Sequence, residues 1–241
     1  PVEAEFQRTT PVRDGSADDG ARVSGKLSEQ SIPAGMGIAA DPAGWPKRPP
    51  IETVRVDHGG AQRLGAAIVC HLHKAGYRVI VHCHRSQETA QALVESLNAT
   101  RAESAVTLTA DLGEPAALTA LVAAAAARWG RLDGLINNAA VFRSTTLTET
   151  SLLDWSALMD INLRAPFLLS QAAYPWLAAN GGSIVNITDI YAERPKANHA
   201  VYCASKAGLA GLTRALARDL GPAVRVNGVA PGAILWPEIG D

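Results

Sequence analysis

Tyr202 and Lys206 stand four residues apart at the start of an apolar-periodic stretch running from Ala204 to Leu220. On a helix that spacing puts a phenol and an ammonium on one face. A free phenol has a pKa near 10 and holds its proton too tightly for rapid exchange near neutrality, but a cation within a few ångströms favours the phenolate. The pair is therefore expected to work as a general acid or base with a lowered phenol pKa. Thirteen residues before the phenol lies Asp189, at the end of the β-branched run Ile184-Val185-Asn186-Ile187-Thr188. That run reads as a buried strand, and ligands of open α/β sheets bind outside the carboxyl ends of the strands, so Asp189 is expected beside the same spot. The plainer reading is an exposed amphipathic pair and a carboxylate that caps a loop.

These groups must be carried by a fold, and the sequence from Ile51 onward alternates short apolar runs with helical stretches. Strands are predicted near 51–57, 77–83, 105–110, 132–137, 183–188 and 224–229. Helices are predicted near 62–75, 86–99, 115–129, 151–179 and 203–220. Alternation of this kind gives βαβ units and a doubly wound parallel sheet of the Rossmann type. Residues 1–50 are rich in Pro, Gly, Ser and Asp, show neither period, and read as a disordered extension.

After the first strand comes Gly59-Gly60-Ala61-Gln62-Arg63-Leu64-Gly65. Glycines there let the backbone approach a pyrophosphate, and the N–H groups opening the next helix supply the positive end of a dipole. The first strand itself is unusual for a central one, since Arg55 and Asp57 put two charges on one face. The second strand ends in His84-Arg85-Ser86 with no acidic residue to bind ribose hydroxyls; Arg85 and Ser86 offer a guanidinium and a hydroxyl suited to the 2′-phosphate of NADP(H). An ordinary solvated arginine is the alternative. His71, His73, His82 and His84 cluster in sequence, but i, i+2 histidines point to different sides of a helix, so no metal site is predicted.

Asp111-Leu112 follows the third strand, where the carboxylate could accept from an adenine amino group or simply end the strand before a helix opening on Glu114-Pro115. The fourth strand runs into Asn138-Ala139-Ala140, small enough for a cofactor ring to lie against the backbone. Within the long helix from Ser151, Pro166 cannot donate to residue 162, which breaks the ladder at Asn162 and frees a carbonyl able to hold a water.

Taken in this order, Gly59-x-x-x-Arg63-x-Gly65, Asn137-Asn138-Ala139, Asn162, Tyr202-x-x-x-Lys206 and Pro231-Gly232 resemble the short-chain dehydrogenase/reductase family over about residues 54–241. Most members have Ser where this chain has Asp189. An Asp there, with Arg63-Leu64, His84-Arg85-Ser86 and Phe142, resembles the pteridine reductases and dihydromonapterin reductases. The resemblance implies reduction of a pterin or dihydropterin by NADPH. It implies that Tyr202 and Asp189 govern proton delivery to ring nitrogens and that Lys206 holds the nicotinamide ribose. By the same resemblance Asn162 anchors a relay water, Arg63 contacts cofactor phosphate and pterin, and Phe142 stacks on the pterin. Gly59, Arg63, Leu64, Gly65, His84, Arg85, Ser86, Asp111, Leu112, Asn138, Ala139, Tyr202, Lys206, Pro231 and Gly232 fall at cofactor positions, and Arg63, Phe142, Asp189 and Tyr202 at substrate positions.

Departures accompany the resemblance. His58 replaces the usual Thr before the glycine turn, and Ala140 stands where pteridine reductases often have a Ser. The family continues beyond Trp236-Pro237-Glu238-Ile239-Gly240-Asp241 through a covering loop, a helix and a seventh strand, so the chain is expected to be a fragment with an uncovered sixth strand. A homo-oligomer, a tetramer when complete, is expected through the helices beginning near Ser151 and Tyr202. Two other functions stand beside the pterin reading: reduction of a carbonyl compound such as a 3-oxoacyl thioester or sugar, and a non-catalytic nucleotide-binding module.

The composition narrows the partners. A formal net charge of −1 gives no electrostatic case for nucleic acid or an anionic membrane. Cys70, Cys83 and Cys203 are odd in number without a C-x-x-C spacing, which favours a reducing compartment. No window approaches the apolar length of a membrane span and no signal pattern opens the chain, so a cytoplasmic protein is expected.

Overall fold

Six parallel strands lie in the order β3-β2-β1-β4-β5-β6 in a computed structural model that describes residues 53–57 and 64–232. The strands are β1 (Thr53–Asp57), β2 (Val79–Cys83), β3 (Ala105–Thr109), β4 (Gly134–Asn137), β5 (Ser183–Ile187) and β6 (Arg225–Val229). Between them run α1 (Leu64–Lys74), α2 (Gln87–Thr100), α3 (Pro115–Trp129), α4 (Leu152–Met159), α5 (Ala165–Ala179) and α6 (Ala200–Leu220). The chain winds outward from β1 to β3, then returns to lay β4 on the other side of β1. That reversal opens a crevice at the carboxyl ends of β1 and β4, where this kind of sheet binds ligands. Among the described residues no helix is long and apolar enough to cross a membrane.

The period of the strands sorts side chains to two faces. In β2 every residue is buried, with Val79, Val81 and Cys83 packed against Val69 of α1 and Val94 and Leu97 of α2. Ile80 points the other way, into a larger core with Leu118, Leu121 and Val122 of α3 and Leu169 of α5. A strand buried on both faces reads as a continuous apolar run, and for that reason β2 was visible in the sequence.

The expected helix over 151–179 is three pieces. Ser151 caps α4: its Oγ accepts the Asp154 N–H at 3.1 Å, and the Asp154 carboxylate accepts the Ser151 N–H at 3.1 Å, a reciprocal capping box. Residues Asp160–Arg164 then form one π turn before α5 begins. Pro166 explains the widening: without an N–H it leaves a ladder position open, and Ala165 donates back to Asp160 instead. Helix α5 closes on Gly181, whose φ of 61° is the left-handed conformation, and Gly182 donates to Leu177 O at 2.8 Å. The chain then turns directly into β5.

The extension over residues 1–50, the glycine turn with His58, Gly59 and Arg63, the side chains of Arg55 and Asp57, and Trp236 to Asp241 lie outside the described residues. Strand β6 pairs only with β5, so it is the edge strand of the described sheet.

Candidate active site

Strand β5 ends by delivering Asp189 to the rim of the sheet. Thr188 anchors the approach, its N–H and its Oγ both donating to Val229 O of β6 at 2.8 and 3.0 Å. A single 3-10 turn (Ile190–Ala192) follows, and the two oxygens of Asp189 divide their work. Oδ1 accepts the Tyr191 N–H at 2.9 Å, capping the turn, while Oδ2 accepts the phenolic O–H of Tyr202 at 2.5 Å. The loop cap and the proton-transfer partner, set out as rival readings of the sequence, are both present in one carboxylate. The sequence placed the two residues together through strand-end logic; the structure adds that the carboxylate is oriented before any ligand arrives.

Helix α6 begins at Ala200, three residues earlier than the expected 203, so Tyr202 sits inside its first turn. Lys206 follows one turn on and is 2% exposed, with Nζ donating to Ile187 O at 2.8 Å and lying 6.0 Å from the centroid of the Tyr202 ring. This corrects the expectation for the phenol. The Tyr202 pKa is raised, not lowered, because burial and the Asp189 carboxylate both oppose the phenolate. The ammonium is itself weakened: burial brings Lys206 down to about 8, with the Asp189 charge working in the opposite direction. Burial first and the Asp189 carboxylate second keep the phenol protonated, against the pull of the cation.

Asn162 lies fully buried in the π turn. Its Oδ1 accepts the Val141 N–H at 2.8 Å, and its Nδ2 donates both to Val141 O and to Ser205 Oγ at 3.0 Å. The carboxamide thereby clamps the loop after β4 to α6, a function that the proline break alone does not explain. A second buried chain lies beneath: Asn137 donates to Asn186 Oδ1 at 2.7 Å, and Asn186 donates to Thr213 Oγ at 2.9 Å. This ladder ties β4, β5 and α6 together.

Phe142, next to the clamped Val141, is 53% exposed. Its ring stacks on His199 with centroids 4.8 Å apart and meets Tyr202 edge-on at 4.7 Å. The structure therefore brings Asp189, Tyr202, Lys206, Asn162 and Phe142 into one cluster. His199 belongs to it as well and was not singled out from the sequence; its position three residues before Tyr202, at the cap of α6, was the available signal.

The expected nucleotide end is distributed along the neighbouring strand ends. His84 Nε2 lies 3.6 Å from Asp111 Oδ2, bridging the ends of β2 and β3, while Arg85 is exposed beside it and Ser86 precedes α2 without a side-chain cap bond. Asp111 Oδ1 accepts the Gly113 N–H at 2.8 Å, and Glu114 and Pro115 open α3, so the turn-forming reading of Asp111 holds. Leu112 is 2% exposed and packs in the core with Ala139 and Ile161. Its side chain is thus structural, which leaves only its backbone to meet a nucleotide. Asn138 and Ala139 follow β4 as expected, Pro231 O accepts the Ile190 N–H at 3.3 Å, and a Cβ placed on Gly232 would meet nothing within 4 Å. Leu64 and Gly65 open α1, whereas Gly59 and Arg63 lie outside the described residues.

Two of the clustered histidines hold other parts of the fold together. Ser104 Oγ donates to Arg101 O, so His73 Nε2 is the donor to Ser104 Oγ at 2.6 Å. His82 Nε2 donates to Ala110 O at 3.0 Å. Among the described residues no group of three or more His, Cys, Asp or Glu is placed to hold a metal ion.

The strand order, the Tyr202–Lys206 face and the rim position of Asp189 are joined by one comparison: the short chain dehydrogenase family matches residues 56–239. The chain belongs to the short-chain dehydrogenase family. It is an oxidoreductase, and its relatives span several chemistries. It is 35% identical over 192 residues to a trans-4-hydroxycyclohexanecarboxylate dehydrogenase of Sinomonas cyclohexanicum, covering 77% of this chain and 74% of that protein. It is 34% identical over 228 residues to pteridine reductase 1 of Leishmania tarentolae, covering 78% and 79%. Among solved structures, a blue fluorescent protein from a metagenomic library in complex with NADPH superposes with a TM-score of 0.72 at 37% identity, covering 78% of this chain and 76% of that one.

Proposed function

We propose that this short-chain dehydrogenase reduces the C=N bond of a pterin or dihydropterin with NADPH. The observation that carries the reading is the 2.5 Å hydrogen bond from Tyr202 to Asp189, at a position where most family members have a serine. A serine hydroxyl donates to a carbonyl oxygen, as ketone reduction needs. A carboxyl group can accept from an amino-substituted ring and also shuttle a proton to a ring nitrogen. Similarity to a pteridine reductase supports the same substrate class.

The cofactor is NADP(H), and the residues at the strand ends fit it. No acid follows β2 to repel a 2′-phosphate, and Arg85 and Ser86 offer charge and a hydroxyl there. The Lys206 ammonium has three donors and spends one on Ile187 O, leaving two for ribose hydroxyls. Open space at Gly232 and the small Ala139 leave room for a ring against the backbone. When bound, NADPH supplies the hydride to the carbon of the C=N bond.

The residues of this chain supply the proton to the nitrogen. Tyr202, held with a raised pKa against a carboxylate, does not ionise alone. It gives its proton to the nitrogen as the Asp189 carboxylate takes one up from solvent and hands it to the phenol oxygen, so the two oxygens act as one relay that ends with the phenol reprotonated. Asn162 keeps Val141, and with it Phe142, over this relay. Phe142 provides the ring on which the substrate lies.

The homo-oligomer forms through the outer faces of α4 and α5. Trp155, Phe167, Tyr174 and Trp176 are each more than a third exposed there, and Phe167 and Tyr174 line an apolar groove with Leu216 and Leu220 of α6. Phe167 and Tyr174, seven residues apart on one face of α5 beside an apolar groove, mark an interaction surface.

Side-by-side NADPH consumption with a dihydropterin and a 3-oxoester tests the substrate class. Turnover of the dihydropterin is expected. Turnover of the 3-oxoester alone would return the protein to the carbonyl-reducing branch of its family.

A further inference from the structure

Within the pterin reading, the structure assigns to His199 the task of fixing Phe142 as a one-sided stacking wall for a flat heteroaromatic substrate. His199 is 8% exposed although it lies at the mouth of the site. One bond holds its ring and another its main chain. A carbonyl can only accept, so Nδ1 carries a proton and donates it to Ala197 O at 2.7 Å. The main chain at Asn198 and His199 is bridged to the loop after β4, with Thr145 N–H donating to Asn198 O at 2.6 Å.

Against this fixed imidazole lies one face of Phe142, 24° from parallel at 4.8 Å. The edge-on contact with Tyr202 sets the remaining angle. Phe142 thus has one face covered and the rest of its ring exposed, so a flat ligand can lie only on the side away from His199. An imidazole stacks on a phenyl ring as a planar partner and resists rotation of that ring about χ2, whereas an aliphatic side chain of the same bulk would not. His199 is therefore a positioning residue: it touches neither hydride nor proton, and it acts on substrate affinity through Phe142.

The test compares His199→Ala, His199→Leu and His199→Phe with wild type, reading kcat and KM for a dihydropterin and a 3-oxoester together with NADPH affinity by fluorescence. The worth of one aromatic pair predicts a KM for the dihydropterin raised about two- to tenfold in the Ala and Leu variants. Expected alongside are unchanged kcat, unchanged NADPH affinity, an unmoved 3-oxoester KM and recovery in His199→Phe. If His199→Ala does not fold, the bulk-matched Leu and Phe variants carry the same comparison. A dihydropterin KM equal to wild type in His199→Leu, or an equal rise for both substrates, overturns the proposal while leaving the pterin reading intact. A wild-type enzyme that ignores the dihydropterin removes the pterin reading and this wall with it.

Discussion

The phenolic O–H of Tyr202 donates a hydrogen bond to Asp189 Oδ2 at 2.5 Å, and the accepting carboxylate is already held by the N–H of Tyr191. Short O–H···O⁻ bonds of this kind are about twice as strong as neutral ones. The pair is consequently a preset unit, and removing either member alters the other.

Tyr202→Phe removes the last donor before the substrate while keeping the ring that Phe142 leans on. Loss of a general acid is expected to lower kcat by about 10²- to 10⁴-fold. NADPH affinity, read by fluorescence, is expected to stay near wild type. Lost cofactor binding in this variant would mean that Tyr202 is structural.

The relay also predicts a pH profile. Because burial and the Asp189 carboxylate keep the phenol protonated, kcat for a dihydropterin at saturating NADPH is expected to stay level through neutrality and into alkaline solution. A fall in kcat that begins near neutrality, as a phenol whose pKa is lowered by Lys206 would give, counts against the relay.

Stability without cofactor follows from the same two shifts. Lys206 titrates near 8 when folded and at its ordinary 10.5 when unfolded. Between those values the unfolded chain binds more protons, so stability rises with pH, by an amount on the order of 3 kcal/mol from this group. Tyr202 runs the other way: with its folded pKa above the unfolded value of 10, its contribution is complete below about pH 10 and is lost above it. Denaturant titrations of wild type and Lys206→Met across this range are expected to differ by a rise that the variant lacks. Parallel curves would show that burial does not weaken the ammonium.

Asn162→Leu leaves the Val141 N–H and C=O without their buried partner, while the Ser205 hydroxyl keeps its bond to Tyr202 O. Each buried polar group stranded in this way costs about 1–3 kcal/mol. The variant is expected to unfold at clearly lower denaturant and, where it folds, to lose dihydropterin turnover through displacement of Phe142. Wild-type stability would contradict the clamp.

Light scattering checks the aromatic face. Phe167→Glu together with Tyr174→Glu is expected to shift the protein to a smaller species without changing NADPH affinity, whereas a wild type that is already monomeric removes the proposed oligomer.

What the sequence reveals and what it hides divide along physical lines. Strand β2 was legible because a parallel sheet buries both its faces and leaves the apolar run Val79–Cys83, whereas β1 and the edge strand β6, which carry charged or exposed residues, were placed by their alternation with helices. Tyr202, Lys206 and Asp189 were legible because helix spacing and strand ends have fixed geometry. The π turn was only half legible: Pro166 marks a broken ladder, but which carbonyl and which amide answer it depends on α6 and the loop after β4. The direction of the Tyr202 shift was misjudged because spacing places Lys206 near the phenol without revealing that it is buried and bonded to Ile187 O, or that Asp189 is closer. His199 was passed over because a stacking role is a contact between distant segments and has no local pattern.

The most direct measurement is NADPH oxidation by Asp189→Ser with a dihydropterin and a 3-oxoester. The account predicts a fall of roughly 10²-fold or more in dihydropterin kcat/KM, with 3-oxoester turnover equal to or above wild type. Dihydropterin reduction at the wild-type rate in that variant would contradict it.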